Sequence, residues 1–264
     1  MTPNRSDIAS PFRSDLTVVI ITKNEERNIG SIVSSWTKLA PVLVVDSGSW
    51  DQTVEKAELN GARVISQPWM GYGRQKQFAV NSAVTDWVLS IDADEWPSNK
   101  LLESLKCLDL KEPNLAFKLR RQTYFLGSRV KHCGWGDDEI VRLFNRKEGH
   151  FDDRIVHEKV VHNCRTTTLA GKINHHSYPD MRSVKRKIAK YARLSATLSQ
   201  EVNNRPRVAI KRAVGPFWSA FKTLVLKAGI LDGWTGLQIA RMNATATARK
   251  YQLIQRFINN RQVA

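Results

Sequence analysis

The sequence predicts an α/β fold with a mostly parallel sheet, a smaller antiparallel part and a basic helical extension at the C-terminal end. Three observations lead to this prediction. Short apolar runs alternate with helical segments through the first hundred residues, as strands of a parallel sheet do. Strand-like segments without intervening helices then follow between residues 116 and 161. Beyond Met181 the chain becomes helical and strongly basic.

Four apolar runs rich in β-branched residues account for the predicted parallel strands. These strands are expected at residues 16–22, 42–45, 62–65 and 87–91, with helices at about 26–36, at about 54–60 and after Gly71 and Gly73. Antiparallel strands are expected in FKLRRQTYF, EIVRLFN and HEKVVHN. We therefore divide the chain into a polar N-terminal segment (1–15), an α/β domain (16–180) and a basic helical region (181–264).

The composition is that of a folded protein and excludes several classes. Of the 264 residues 42% are hydrophobic and 25% are charged, which excludes extensive disorder and collagen-like structure. The three cysteines are far apart and form no CxxC pair, which argues against a secreted disulfide framework or a zinc ribbon. The first 15 residues lack the apolar core of a signal peptide. These features predict a cytoplasmic protein.

Positive charge is concentrated towards the C-terminal end. Residues 181–264 contain 17 Lys and Arg against 2 Asp and Glu, whereas the first 180 residues contain 24 against 23. A near-neutral body with a basic extension suggests catalysis in one part and attachment to a nucleic acid or a membrane in the other. The most apolar stretch, residues 213–231, is interrupted by Lys222 and Lys227 and is predicted not to span a membrane.

Aromatic residues in the basic region favour a membrane surface among the anionic partners. Phe217, Trp218 and Phe221 repeat at helical spacing with lysines nearby, a mixture suited to a lipid interface, although core packing has the same periodicity. A basic helical cap and a nucleic-acid surface stay open as alternatives, but no zinc-finger, RNP or basic-zipper signature is present. We expect peripheral contact with an anionic membrane surface and no specific nucleic acid.

The candidate functional residues lie where the predicted strands end. Asp92 and Asp94 follow the fourth strand, and residues i and i+2 of an extended chain point to the same side. Two converging carboxylates need a basic side chain or a hard cation such as Mg²⁺ or Mn²⁺, which also binds diphosphates. A solvated acidic turn is the alternative. The other strand ends would bring the following residues to the same crevice: Thr22, Asn24, Glu25, Asp46 and Ser47.

Several motifs resemble the glycosyltransferase family 2 enzymes of the GT-A fold. TKNEE follows the first strand, and VVDSGSWDQT and LSIDADEW come next in that family's order. HCGWGDDEIVRLFN, FDDRIVHEKV and GILDGWTG are similar to the subgroup of β-1,4-glucosyltransferases that modify the first heptose of the lipopolysaccharide inner core. This resemblance covers roughly residues 16–245. No GxGxxG follows the first strand, which argues against a dinucleotide site.

The resemblance implies residues for the sugar nucleotide. Thr22, Asn24, Glu25 and Asp46 are expected to hold the uridine. The acidic triplet is expected to place Asp92 near the ribose and Asp94 on a Mg²⁺ or Mn²⁺ ion. The helix after Gly73 would turn Lys76 or Arg74 towards the base or diphosphate, although solvent exposure is an equal alternative for these two side chains.

The resemblance also implies a general base on the acceptor side. Asp138, three positions after Trp135, matches the acidic residue of the family. Asp137 and Glu139 stand where relatives tend to have proline and an aromatic residue, so either neighbour is an alternative base. A carboxylate in this position would remove the proton of the acceptor hydroxyl, a contribution of about 10² to 10⁴ in rate.

His157 and Glu158 are expected to orient the diphosphate, complete the metal shell or bind the acceptor, and Trp135 is a candidate face for a sugar ring. The function implied is inverting transfer of a hexose, with glucose favoured, from a UDP-sugar to heptose of the lipopolysaccharide inner core. The enzyme is expected on the cytoplasmic face of the inner membrane. The alternatives are another donor or acceptor on the same framework, a nucleotidyltransferase, and a nucleic-acid-binding protein.

Overall fold

The computed structural model describes residues 13–136, 138–153, 158–178, 180–197 and 205–260, without the side chains of Arg205 and Asn260. The chain divides into two compact units. The first comprises Met1–Arg121 and Asp138–His175, and the second comprises Gln122–Asp137 and His176–Ala264, over their described residues. Residues 122–136 and 176–178 therefore group with the C-terminal helices, whereas the sequence predicted a boundary at residue 180.

Eleven strands and seven α-helices occur in the described residues. The strands are β1 (Leu16–Thr22), β2 (Val42–Asp46), β3 (Arg63–Ser66), β4 (Trp87–Asp92), β5 (Glu95–Pro97), β6 (Leu115–Phe125), β7 (Ser128–Arg129), β8 (Asp138–Asn145), β9 (Gly149–Phe151), β10 (Val160–His162) and β11 (Arg165–Tyr178). The helices are α1 (Ile29–Thr37), α2 (Thr53–Leu59), α3 (Tyr72–Asn81), α4 (Asn99–Lys106), α5 (Met181–Thr197), α6 (Arg205–Phe221) and α7 (Gly233–Asn260).

The main sheet combines a parallel part with an antiparallel part, and this mixed α/β fold was predicted. Its strand order is β3-β2-β1-β4-β8-β6-β11-β5, with β7 paired to β6. β1 runs parallel to β2 and β4, and β2 runs parallel to β3, so these four strands end at one edge. β8 is antiparallel to both β4 and β6. A separate pair is formed by β9 and β10.

The inner strands β1, β2 and β4 are buried on both faces, which explains their apolar sequences, whereas β3 at the edge of the sheet is partly exposed. Ile20 on β1 and Val44 on β2 are fully buried in a core that includes Trp36 of α1. Val19 on the opposite face of β1 packs with Val80 of α3 in a second core cluster. Two apolar faces therefore hold this sheet between helices.

The 14-residue strand β11 was not predicted. Its sequence RTTTLAGKINHHSY is mostly polar, and few of its positions are buried. Its pairing with β5 through Ile173, Asn174 and His175 comes from distant parts of the chain. Tertiary pairing therefore overrides the local pattern at this strand.

The second unit is mainly helical, as predicted for the basic region. α7 packs against both α5 and α6, and α6 continues into a π-helical stretch, Lys222–Leu226, and a 3₁₀ turn, Gly229–Asp232. Within the described residues, no helix is both long enough and apolar enough to cross a bilayer.

Candidate functional site

The loop after β2 is folded around the carboxylate of Asp46, which is 2% exposed. One carboxylate oxygen accepts the backbone N–H groups of Gly48 (2.9 Å) and Ser49 (2.8 Å), and the other accepts the Ser49 hydroxyl (2.5 Å). Gly48 has a φ of +80°, which residues other than glycine rarely adopt. The buried carboxylate of Asp46 therefore fixes the conformation of this loop.

The loops after β1 and β2 are tied together by short hydrogen bonds. The backbone N–H of Asn24 donates to the Ser49 hydroxyl (2.8 Å), and the Asn24 side-chain oxygen accepts the N–H of Trp50 (3.0 Å). The N–H of Glu25 donates to the Thr53 hydroxyl (2.8 Å). Asn24 has a φ of +56°, and Trp50 is 84% exposed. The two loops thus form one rim at the carboxyl edge of the sheet, and the side chain of Trp50 on this rim is exposed to solvent.

Thr22 and Ser47 lie beneath this rim. Thr22 is 5% exposed, and its hydroxyl has no hydrogen-bond partner in the described part of the chain. The Ser47 hydroxyl accepts a hydrogen bond from the buried amide of Gln75 (3.1 Å), which also donates to the carbonyl of Gln67 (3.1 Å). A buried hydroxyl without a partner costs free energy, so Thr22 is a candidate contact for a ligand.

The expectation that Asp92 and Asp94 lie side by side on an extended chain is wrong. β4 ends at Asp92, and Ala93 and Asp94 form a turn, so the alternation of an extended chain does not apply. The carboxylate of Asp94 lies 3.3 Å from Nε2 of His175, whereas Asp92 has other partners. The two acids are therefore in different environments.

A network of charged side chains surrounds Asp92. Lys76 lies 2.8 Å from one oxygen of Asp92 and 2.7 Å from Glu158. Arg142 lies 2.6 Å from the other oxygen of Asp92 and 2.9 Å from Glu95, which is fully buried. The backbone N–H of Asp92 also donates to Glu95 (3.0 Å). Basic side chains, one of the alternatives left open by the sequence, thus neutralise Asp92.

These contacts fix the charges of the network. Burial raises the pKa of Asp92, but the charges of Arg142 and Lys76 outweigh it and hold the pKa well below its usual range. Burial lowers the pKa of Arg142, and Asp92 and Glu95 more than reverse that effect. Asp92 and Arg142 therefore stay ionised at physiological pH.

Asp94 and His175 are the donors that suit a divalent cation. Burial lowers the pKa of His175, but the hydrogen bond and charge of Asp94 raise it overall, so protons compete with a cation for this pair. Within the described residues, no group of three or more His, Cys, Asp or Glu could hold a metal. A Mg²⁺ or Mn²⁺ ion fits if substrate phosphates and water complete its shell, which is how Mg²⁺ usually binds.

The structure separates the two basic candidates of α3. Lys76 is 4% exposed and lies within the network, with its ammonium 5.7 Å from the ring centre of Phe151. Arg74 has a side chain that is 64% exposed and lies 3.5 Å from Asp153. Lys76 is therefore the residue of the pair that lies at the carboxyl edge of the sheet.

The acceptor-side candidates are not brought together in one unit. Asp138 begins β8 and forms an ion pair with Arg121 (2.6 Å) on the neighbouring strand β6. Trp135 belongs to the second unit, where it stacks on Tyr178 with ring centres 5.5 Å apart. Glu158 belongs to the charged network through Lys76. Asp137 and His157 lie outside the described residues.

Sequence reasoning did not single out Arg142, Glu95 or His175. Arg142 interrupts the apolar run VRLF of β8, and a lone cation among apolar residues is the signal that could have revealed a buried, paired charge. Glu95 stood in the acidic triplet that drew attention to its neighbours. His175 gave no signal, because its pairing with Asp94 joins residues 81 positions apart.

Comparison with known proteins identifies a family. The model of "Glycosyl transferase family 2" matches residues 17–169. An uncharacterised glycosyltransferase of Rickettsia typhi is 35% identical over 165 residues, which is 60% of this chain and 56% of the relative. The chain thus spans little more than half the length of such relatives. "Lipopolysaccharide core biosynthesis glycosyltransferase LpsC" of Rhizobium meliloti is 31% identical over 73% of this chain and 74% of that protein.

Two solved structures match this chain at low identity. Residues 1–349 of S. aureus TarS match 95% of this chain and 92% of that chain, with a TM-score of 0.43 and 14% identity. Glucosyl-3-phosphoglycerate synthase of Mycobacterium tuberculosis, solved with Mg²⁺ and uridine diphosphate, matches 51% of this chain and 57% of that chain, with a TM-score of 0.35 and 21% identity.

Proposed function

Because this chain belongs to glycosyl transferase family 2, we propose that it transfers a hexose, with glucose favoured, from a UDP-sugar to heptose of a lipopolysaccharide inner core, with inversion at the anomeric carbon. The similarity to LpsC supports a role in lipopolysaccharide core biosynthesis. The observation that carries the proposal is the grouping of Asp94, His175 and the Asp92 network at the edge where the parallel strands end. Ligands of such sheets bind at that edge.

The rim formed by the loops after β1 and β2 is proposed to hold the uridine. The unpartnered hydroxyl of Thr22 is available to a ligand, and the exposed ring of Trp50 offers an apolar face. Both oxygens of Asp46 are engaged with the loop after β2, so its main contribution is to fix this loop, which presents Ser47 and accepts the Asn24 N–H at Ser49. Glu25 anchors the same rim through Thr53.

Lys76 and Asp94 are proposed to act on the diphosphate. A cation bound by Asp94 and His175 would offset the charge of the departing phosphate as a Lewis acid. Lys76 places a positive charge beside the same edge, held between Asp92 and Glu158. Asp92 keeps Lys76 in position through their ion pair. Asp92 is also proposed to contact the ribose. Both His157 and Glu158 stay candidates for orienting the diphosphate.

Asp138 is proposed as the general base that removes the proton of the acceptor hydroxyl. Its carboxylate is 44% exposed and is oriented by Arg121. We predict that Asp138→Asn preserves UDP binding, measured by calorimetry, but lowers sugar transfer by about 10² to 10⁴. The matched variant Glu139→Gln, whose carboxylate pairs with Arg120 and Thr168 instead, should keep activity. Normal turnover by Asp138→Asn would move the role to Asp137 or Glu139.

The decisive experiment is a donor screen against a heptose-containing core acceptor, with and without Mg²⁺ or Mn²⁺. Transfer from a UDP-hexose that requires the cation, with the linkage and anomeric configuration determined, would support the proposal. Transfer only from another nucleotide sugar, or only to another acceptor, would favour the alternative within the same family. Release of pyrophosphate during the reaction would instead identify a nucleotidyltransferase.

The second unit is proposed to contact an anionic membrane surface, where a glycolipid acceptor would be found. Large apolar side chains along α6 and into the start of α7 are exposed, including Phe217 (78%), Ile230 (69%) and Trp234 (68%). The basic residues among them suit anionic lipid, which attracts each nearby Lys or Arg with about 1 kcal/mol. Localisation at the cytoplasmic face of the inner membrane is part of the same proposal.

Nucleic-acid binding is the competing use of the basic region. Co-sedimentation with anionic vesicles but not with random duplex DNA would support the membrane proposal. The reverse result would overturn it and leave the catalytic proposal untouched.

A further inference from the structure

A groove between α5 and α7 carries a cluster of arginines. The groove has a volume of about 420 Å³. Its lining residues are Arg193 of α5 and, from α7, Thr245, Ala248, Arg249, Gln252, Leu253 and Arg256. The polar residues of α7 that line the groove lie four, three and four positions apart from Thr245 to Arg256, so they form one stripe along the helix. Arg193 faces that stripe from the neighbouring helix.

No carboxylate neutralises this groove within the described part of the second unit. The described acids of that unit are Asp180 and Asp232. Asp180 bonds to Ser183 at the start of α5, and Asp232 accepts the backbone N–H groups of Lys131 and His132. Three guanidinium groups that share a groove without a counter-charge repel one another, so the groove favours an anion.

The chemistry of the lining indicates a phosphate. A guanidinium presents a planar set of N–H donors that matches the oxygens of a phosphate in a bidentate contact. The amide of Gln252 stands between Arg249 and Arg256 on the stripe and adds a further donor. Ala248 and Leu253 make part of the wall apolar, which suits a phosphate that is attached to an organic group.

The surroundings of the groove indicate that the phosphate belongs to a lipid. Phe257, one helical turn after Leu253 of the groove wall, is 42% exposed. Aromatic side chains beside basic ones are typical of helices at a membrane interface. Single-stranded nucleic acids are bound by stacking of bases on aromatic rings, and no aromatic residue lines the groove itself.

We propose that the groove formed by Arg193, Arg249 and Arg256 binds the phosphate of a membrane lipid head group. This inference deepens the proposed membrane contact of the second unit, on which it rests for the lipid source of the phosphate. It does not depend on the sugar that is transferred or on the catalytic residues. Contact with the apolar surface of α6 would hold the protein at any membrane, whereas the groove would select lipids with an accessible phosphate.

The test compares two vesicle compositions of equal surface charge. Phosphatidylcholine vesicles contain either phosphatidic acid, whose phosphate is a monoester, or phosphatidylglycerol, whose phosphate is a more hindered diester. We expect the full chain to bind the phosphatidic acid vesicles more tightly. The double variant Arg249→Ala/Arg256→Ala should lower that affinity about 25-fold, about fivefold for each arginine, and lose the preference.

The matched control removes two charges outside the groove, in Arg212→Ala/Lys222→Ala, both of which are exposed residues. It should weaken binding to both vesicle types equally and keep the preference. A groove variant that keeps the preference, or a control variant that loses it, overturns the proposal. Circular dichroism checks that the variants keep their helices, and hydrolysis of the sugar nucleotide reports separately on the proposed catalytic site.

Two further arms distinguish the source of the phosphate. If inorganic phosphate at low millimolar concentration abolishes the preference, the groove holds free phosphate and the lipid assignment is overturned. If the groove variant loses binding to duplex DNA but keeps its lipid preference, the groove is a nucleic-acid site and the proposal is likewise overturned. Persistence of the preference in inorganic phosphate, with unchanged DNA binding, supports the lipid phosphate.

Discussion

Arg142 shows how one buried side chain holds the charged network together. Its side chain is 7% exposed and contacts the carboxylates of Asp92 and Glu95. A buried carboxylate that loses its cation keeps the cost of desolvation without the compensating attraction. Arg142 is therefore needed for folding as well as for the position of Asp92.

We predict that Arg142→Ala lowers the free energy of unfolding by about 3 to 5 kcal/mol, because it leaves Glu95 and Asp92 without this partner. Urea denaturation monitored by circular dichroism measures the change. Arg120→Ala is the control, since it removes an exposed pair with Glu139 and should leave stability unchanged. Equal effects of the two substitutions would contradict the prediction.

The cysteines should differ in reactivity. Burial and then the nearby charge of Asp232 raise the pKa of Cys133 to about 12, whereas Cys107 is exposed. The thiolate is the reactive form, so Cys133 should resist a disulfide reagent at pH 8 while Cys107 reacts quickly. The rates at which the native Cys107→Ser and Cys133→Ser proteins react with the reagent, followed by absorbance, measure the difference. Fast labelling of the native Cys107→Ser protein at Cys133, located by mass spectrometry, would refute it.

At the scale of elements, the ends of strands determine the site. The loop after β2 is fixed by Asp46, and the turn after β4 sends Asp94 towards β11 instead of towards Asp92. β11 in turn must approach α4 closely. Glycine at position 171 permits this approach, because a Cβ there would lie under 3.0 Å from the backbone of Leu101. Gly171 also has a φ of +94°, which other residues rarely adopt.

Gly171→Ala should therefore destabilise the protein by more than about 2 kcal/mol, since both the backbone conformation and the close approach oppose a side chain. Gly127→Ala has the same kind of backbone conformation (φ +81°) with nothing within 4 Å, and should cost only about 1 kcal/mol. Thermal denaturation of the two variants measures the difference. If both variants lose equal stability, the close approach of β11 to α4 adds nothing to the cost of a side chain at position 171.

At the scale of the whole molecule, charge and exposed apolar surface are divided unequally. Most of the net charge of +16 belongs to residues 181–264, and the long run of exposed apolar side chains lies in the same part of the chain. Electrostatic attraction to a membrane is screened by salt, whereas burial of apolar side chains is not. The two contributions can therefore be separated.

We predict that Trp218→Ser/Phe221→Ser, which removes a stacked pair of exposed rings, weakens binding to anionic vesicles at both low and high salt. Replacement of the exposed lysines Lys222 and Lys227 by glutamine should weaken it mainly at low salt, because the Debye length falls to about 3 Å at 1 M. Vesicle co-sedimentation over a salt series measures both. Loss of binding only at low salt for the aromatic variant would show that the rings do not enter the lipid.

Much of the fold could be predicted from the sequence, and less of the site. The strands β1, β2, β3 and β4 were found within two residues, because apolar runs and turn residues are local signals. The same signals placed Thr22, Asp46 and Asp92 at one sheet edge, whereas Lys76 was expected there, as an alternative to Arg74, only from the family resemblance. The sequence of β11 shows no recognisable strand pattern, because this strand is stabilised by pairing with its neighbours rather than by its own apolar residues.

The sequence by itself determined the alternation of strands and helices, the carboxylates at the strand ends, the basic helical region and the family. The tertiary structure alone decided which charges meet. Arg142 reaches Asp92 across 50 positions of the chain, and His175 reaches Asp94 across 81. The physical reason is range: apolar periodicity acts between near neighbours in sequence, whereas an ion pair depends on distances of a few ångströms that only the folded chain creates.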